Sequence, residues 1–264
     1  MNNMKSIPGH NQRGFTLLEM LVAVLILSVV TGAVLSQMNN AVQRSSAEQV
    51  KLDNFQEARD FVDQFFRDIN QIGYPNSRIL DTASPSWNPV LLTQNAYLWA
   101  NPYLFDNRLA IGLVKIDANE IRFEADANGD GNVQSIVYTL NGSGTCALCL
   151  QRSQVDKISA NPLNGQAQNW GTEVNDVLSN PIFTYFKADG TKIVGLPLDI
   201  STLAGAQALA SIKTIQISLL IRNNNVKDLK SGLAIETPFE GEVSLNNCSM
   251  AAAFSSTLAP MGCQ

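Results

Sequence analysis

Seven consecutive residues, Asp126-Ala127-Asn128-Gly129-Asp130-Gly131-Asn132, form the densest run of chemistry-bearing side chains in the sequence. Side-chain oxygens recur at Asp126, Asn128, Asp130 and Asn132, and Gly131 stands where a sharp turn falls. Hard cations such as calcium are held by several oxygens on one tight loop of this spacing. The twelfth position of a full calcium loop supplies a bidentate Glu, and here it is Val137. Asn-Gly and Asp-Gly are also strong turn formers, so a plain hairpin turn between strands is the competing reading. The second group is four cysteines, with Cys146 and Cys149 as a C-x-x-C pair and Cys248 and Cys263 near the end. An even count in an exported region favours disulfides. The expected pairing is Cys146 with Cys149 and Cys248 with Cys263, the latter closing a C-terminal loop, although four cysteines allow three connectivities. The third feature is a lone carboxylate, Glu19, inside an apolar run.

These residues do not compose a catalytic set. His10 is the only histidine, which removes histidine-based triads and HExxH zinc sites. Neither a phosphate loop nor a Rossmann glycine pattern occurs, so no enzyme activity is expected. Net charge is −5 and no basic tract stands out, which gives no nucleic-acid footprint.

Glu19 takes its meaning from its surroundings. The first fourteen residues are polar and contain Lys5, His10 and Arg13 but no acid. From Phe15 to Gln37 the chain is apolar apart from Glu19 and a few polar residues. Such a run matches the ~20 residues a membrane-spanning helix needs. Basic residues before it and none within it put the N-terminus in the cytoplasm. A secretory signal peptide has a shorter apolar core and a small-residue cleavage site that this run lacks. An ordinary anchor leaves Glu19 unexplained, because a carboxylate in a span costs ~2.5–3.5 kcal/mol on insertion scales and so points to function.

Residues 13–20 read Arg-Gly-Phe-Thr-Leu-Leu-Glu-Met. This resembles the prepilin signature of type IV pilin-like proteins. The resemblance implies that a prepilin peptidase cuts between Gly14 and Phe15, that the new amine of Phe15 is N-methylated, and that Glu19 pairs with the Phe15 amine of a neighbouring subunit. It also implies a bacterial inner-membrane protein with a periplasmic head, assembled through its N-terminal helix with other pilins on an inner-membrane platform. Loss of Lys5 and Arg13 with the leader takes the 18 basic residues to 16 against 23 acidic ones, a net charge of about −7. The segment Phe65-Phe66-Arg67-Asp68-Ile69-Asn70-Gln71-Ile72-Gly73-Tyr74 is similar to W-type minor pilins, and the J-type pseudopilin of type II secretion has a related helix end. The function expected is a minor pilin that primes or joins a type IV pilus. A J-like pseudopilin and a pilus-tip binding or adhesion module are the alternatives.

The remaining elements follow from pattern. Phe55, Ala58, Val62, Phe65, Ile69 and Ile72 recur at helical spacing, and charged residues including Asp68 mostly fill the other faces. No Pro or Gly interrupts between Gly32 and Gly73, so one helix is expected from Phe15 to about Ile72, roughly 85 Å long. Residues 76–108, rich in Pro, Asn and aromatics, read as a long irregular connection wrapped on the sheet. Strands are expected at 113–117, 120–124, 133–140, 147–151, 182–186, 214–222 and 241–245, with a short helix at 201–211. The fold class is α+β, a long helix packed on an antiparallel sheet. The expected domains are a leader (1–14), a transmembrane and filament-core helix (15–37), its amphipathic continuation (38–73) and a β-rich head (74–264).

Overall fold

The computed structural model describes residues 16–74, 107–142, 146–227 and 231–245. Among the described residues one helix, α1 (Leu17–Asn70), comes first. Nine strands follow among the described residues: β1 (Leu113–Ile116), β2 (Glu120–Ala125), β3 (Gln134–Asn141), β4 (Cys149–Asp156), β5 (Trp170–Val174), β6 (Phe183–Lys187), β7 (Leu198–Asp199), β8 (Ile212–Lys227) and β9 (Ala234–Ser244). A short helix, α2 (Leu203–Ala210), precedes β8. The α+β class read from the sequence is what the chain adopts.

The expected single sheet is in fact two. Six strands pair in the order β5-β4-β3-β2-β1-β7, and three pair as β6-β8-β9, all antiparallel. The sheets meet where Ile182 and Phe183 donate backbone N–H groups to Ala118 O and where Tyr185 Oη donates to Asp117 O at 2.9 Å. The seven expected strands and the short helix are all present. Two strands had no pattern to find. β5 reads Trp-Gly-Thr-Glu-Val and is mostly exposed, as an edge strand is, so it carries no alternation. β7 has only two residues. β9 begins seven residues before its expected start because Pro238 and Gly241 mask it. Pro is tolerated there because β9 is an edge strand.

The upper part of α1 packs across the head. Its buried residues are Asn54, Ala58, Phe61, Val62, Phe65, Asp68 and Ile69. Phe65 stacks on Phe183 of β6 at 5.6 Å and meets Tyr138 of β3 edge-on at 5.1 Å, so one residue touches both sheets. Two details of the stripe differ from expectation. Phe55 is 46% exposed and lies at the margin, against Phe239 at 5.5 Å. Asp68, expected on a solvent face, is fully buried. Beyond the helix, Ile72 bridges to Ala125 and Gly73 N–H donates to Glu124 O, so the helix end continues as a partner of β2.

Candidate functional site: the helix entrance and its junction with the head

Gly14 and Phe15 lie outside the described residues, and α1 opens directly after them at Thr16. Thr16 is extended and caps the helix. Its Oγ1 accepts from Glu19 N–H at 3.3 Å, while the Glu19 carboxylate accepts from Thr16 N–H at 2.9 Å and from Thr16 Oγ1 at 3.0 Å. This is a reciprocal capping box, and it puts a negative charge where the helix dipole favours one. Glu19 is therefore turned toward the end of the helix where Phe15 precedes Thr16. Sequence reasoning missed this role, although Thr16-Leu17-Leu18-Glu19 has the capping-box spacing.

From Leu17 to Val42 every large apolar side chain is exposed, from Leu17, Leu18 and Met20 to Leu35, Met38 and Val42. No part of the described head covers them. This half of α1 is long and apolar enough to cross a membrane. Ser28 Oγ donates to Leu25 O at 2.8 Å, so its hydroxyl is satisfied within the helix, as an apolar solvent demands. The helix itself satisfies its backbone groups, but its side chains need a covering from outside the described head.

The other half is fixed to the head by buried charge. Asp68 Oδ2 accepts from Tyr138 Oη at 2.6 Å and from Arg152 Nε at 2.8 Å, and Asp68 Oδ1 accepts from Gln64 Nε2 at 2.7 Å. Burial pushes the Tyr138 hydroxyl well above its ordinary range, which keeps it a donor to Asp68. Strands β3 and β4 thus clamp the last turns of α1. A second pair, Glu124 and Lys157, is wholly buried. Lys157 Nζ donates to Glu124 Oε2 at 2.8 Å and to Leu109 O at 2.9 Å, and Ile111 N–H adds a third contact at 3.0 Å. Glu124 Oε1 has no partner. Burial raises the Glu124 carboxyl above its usual 4.5, against the opposing pull of the Lys157 cation.

A crevice of about 470 Å³ runs between α1 and the β4–β5 edge, lined by Glu57, Gln64, Arg67, Arg152, Gln154 and Glu173 among others. Neither a histidine nor a cysteine lines it, and it gathers no nucleophile with a base. Asp126, Asn128, Asp130 and Asn132 do fall together on the β2–β3 turn. There the Asp126 carboxylate accepts from Asp130 and Gly131 N–H, and Asp130 accepts from Asn132 N–H at 2.7 Å and Asn128 Nδ2 at 2.7 Å. These bonds hold the Asp130 carboxyl below its usual range. Gly129 and Gly131 take φ of +72° and +88°, which suits glycine in a tight turn. The side chains thus brace the turn itself, as the hairpin reading requires. Val137 is a buried β3 residue, so no twelfth-position ligand is present. Among the described residues, no group of three or more His, Cys, Asp or Glu is placed to hold a metal.

Cys146 is bonded to Cys149, the first residue of β4. Cys248 and Cys263 lie outside the described residues, as does most of the aromatic segment expected at 76–108.

Residues 9–35 match the profile described as the prokaryotic N-terminal methylation motif. The match spans the Arg13–Met20 signature and most of the apolar run, and it points to a structural subunit. No curated protein matches the chain. Its methylation motif, the helix that continues from it and the antiparallel head on that helix support a likeness to type IV pilin-like proteins.

Proposed function

We propose that the chain is a minor pilin, cut between Gly14 and Phe15, methylated at Phe15 and built by α1 into a type IV pilus. The observation that carries this reading is the division of α1. A motif-bearing, uncovered apolar half runs without a break into a half that holds a folded head. Cleavage before Phe15 removes the cytoplasmic leader and leaves the whole apolar segment on the product. That segment serves first as a membrane anchor, with the head in the periplasm and residues 15–37 in the bilayer. It serves next as filament core, where neighbouring helices replace lipid.

Glu19 gives the transfer a register. In the isolated chain its carboxylate is held by its own Thr16. In the filament the cationic amine of a neighbour's Phe15 competes for the same oxygens. An ammonium–carboxylate ion pair in a low-dielectric core is stronger than the hydrogen bonds from uncharged Thr16 donors that it replaces. Binding partners are other pilins, the prepilin peptidase and the inner-membrane assembly platform. The helix end at Arg67-Asp68-Ile69 up to Gly73-Tyr74 favours the W-type pilin. It also supports a second reading, the J-like pseudopilin of type II secretion.

Mass spectrometry of the protein from its host's membranes, with and without the prepilin peptidase gene, tests the proposal. The expected product starts at N-methyl-Phe15 and depends on that gene. An intact leader, or cleavage beyond the apolar segment, overturns it. Loss of the pilus on deletion of this gene, with type II secretion intact, separates pilin from pseudopilin.

A further inference from the structure

Glu124 and Lys157 reach each other over an intervening strand. β3 lies between β2 and β4. Ser135 of β3 pairs with Glu124 of β2 on one side and with Val155 of β4 on the other. Lys157 N–H donates to Val133 O, so the ladder runs one step past the end of β4. Residues paired across antiparallel strands share a face, and so do residues two apart on one strand. Glu124, Ser135, Val155 and Lys157 therefore stand on the same face of the sheet. Two strand spacings, about 9.5 Å, separate the backbones of β2 and β4. The ion pair closes that gap at 2.8 Å, and Ser135 lies beneath it.

The polar groups of this cluster do not satisfy one another. Ile111 N–H and Lys157 Nζ both donate to Glu124 Oε2, while Oε1 has no partner. Ser135 is 1% exposed, and its Oγ has no partner either. Lys157 Nζ carries three hydrogens and among the described contacts uses two, on Leu109 O and Glu124 Oε2. One carboxylate oxygen, one hydroxyl and one ammonium hydrogen remain, all in the interior. Buried polar groups in that state are costly, and native proteins rarely leave them so. These three groups define their ligand. A second cation would be repelled by Lys157 and an anion by Glu124, both at short range in a low dielectric. An apolar molecule would satisfy none of the three. Water can do so, and buried waters typically make about three hydrogen bonds to groups of this kind.

We propose that the head binds one internal water between Glu124 and Ser135, as a fixed part of its fold. The water donates to Glu124 Oε1 and accepts from Ser135 Oγ and from the remaining Lys157 hydrogen. Ser135 is then a positioning residue that acts on the ion pair through the water. The place matters because Glu124 gathers separate segments. Its backbone O accepts from Gly73 N–H just beyond α1, its N–H donates to Gly112 O, and its side chain holds Ile111 and, through Lys157, Leu109. Hydrating the second carboxylate oxygen favours the charged form of Glu124 beside Lys157. The end of α1, the start of β1 and the end of β4 are thereby kept in one arrangement.

Urea unfolding of the full chain in detergent, followed by tryptophan fluorescence, separates a bridged hydroxyl from an idle one. Removing an idle buried hydroxyl leaves the midpoint unchanged or raises it, because an unsatisfied polar group is lost. Removing a bridged one breaks the network, so Ser135→Ala is expected to lower the midpoint by about 0.5 M. In a Glu124→Leu, Lys157→Met background no charge remains for the water to serve, and there Ser135→Ala is expected to lower nothing. An unchanged or raised midpoint in the otherwise native chain overturns the proposal. An equal fall in both backgrounds also overturns it, since that reports lost packing. Should the double background fail to fold, a crystal structure of the full chain in detergent decides. Density for a water within hydrogen-bond distance of both Glu124 Oε1 and Ser135 Oγ is expected, and a dry contact between them overturns the proposal.

Discussion

The two halves of α1 share one backbone and no solvent. Above Asn54 the helix has a buried face of Ala58, Phe61, Val62, Phe65 and Ile69, and a buried acid, Asp68, that both neighbouring strands hold. Below Val42 it has apolar side chains on all sides and none of the described residues of the head against them. The upper half is a structural element of the head, stabilised by packing within the chain. The lower half is an apolar surface that the described head leaves uncovered, long and apolar enough to cross a membrane. The difference shows where a substitution will be felt: in the stability of the head for one half, in insertion and assembly for the other.

The largest effect on stability is expected at Lys157, because the charge it neutralises has no route to water. Lys157→Met strands the buried Glu124 carboxylate and should cost about 3–5 kcal/mol at neutral pH, measured by denaturant unfolding in detergent. The double change Glu124→Gln, Lys157→Met should recover most of that loss. The pH dependence has a definite sign. Glu124 has a folded pKa raised above 4.5 by burial, so the fold favours its protonated form. The stability this provides is present below pH 4.5 and is lost as pH rises through the folded pKa. Removing Lys157 raises that pKa further, so the deficit of Lys157→Met should be smallest in acid and grow with pH. A deficit that shrinks with pH would contradict the burial argument.

Asp68→Ala comes next. It frees the Tyr138 hydroxyl and the Arg152 guanidinium, but Arg152 is 14% exposed and can turn outward. The expected loss is about 2–3 kcal/mol by the same measurement. The smallest effect belongs to the other half of the helix. Val24→Ala should leave the unfolding free energy of the head within about 0.5 kcal/mol, because Val24 is 61% exposed and uncovered by the described residues of the head. A loss approaching that of Asp68→Ala would mean that the lower half packs on the head after all, and the comparison would fail.

Much of this molecule was legible before folding, for local reasons. The Gly14-Phe15…Glu19 signature, the apolar run and the amphipathic stripe depend only on composition and spacing, and a helix converts spacing directly into faces. The turn at Asp126–Asn132 was legible on the same ground, since Asn-Gly and Asp-Gly encode their own backbone geometry. Each strand with alternation was visible, while β5 was hidden by its exposure and β9 by its Pro and Gly.

What the sequence by itself determined is therefore the helix, its division into an apolar and an amphipathic half, and the α+β fold class. Tertiary structure alone decided that the strands divide into two sheets, that Asp68 turns inward to meet Tyr138 and Arg152, and that Glu124 finds Lys157. Those pairings join residues 70, 84 and 33 positions apart. The spacing of a chain records which side chains share a helix face or a strand face. It does not record which distant element will supply the counter-charge, because that choice is made by the packing that brings the elements together.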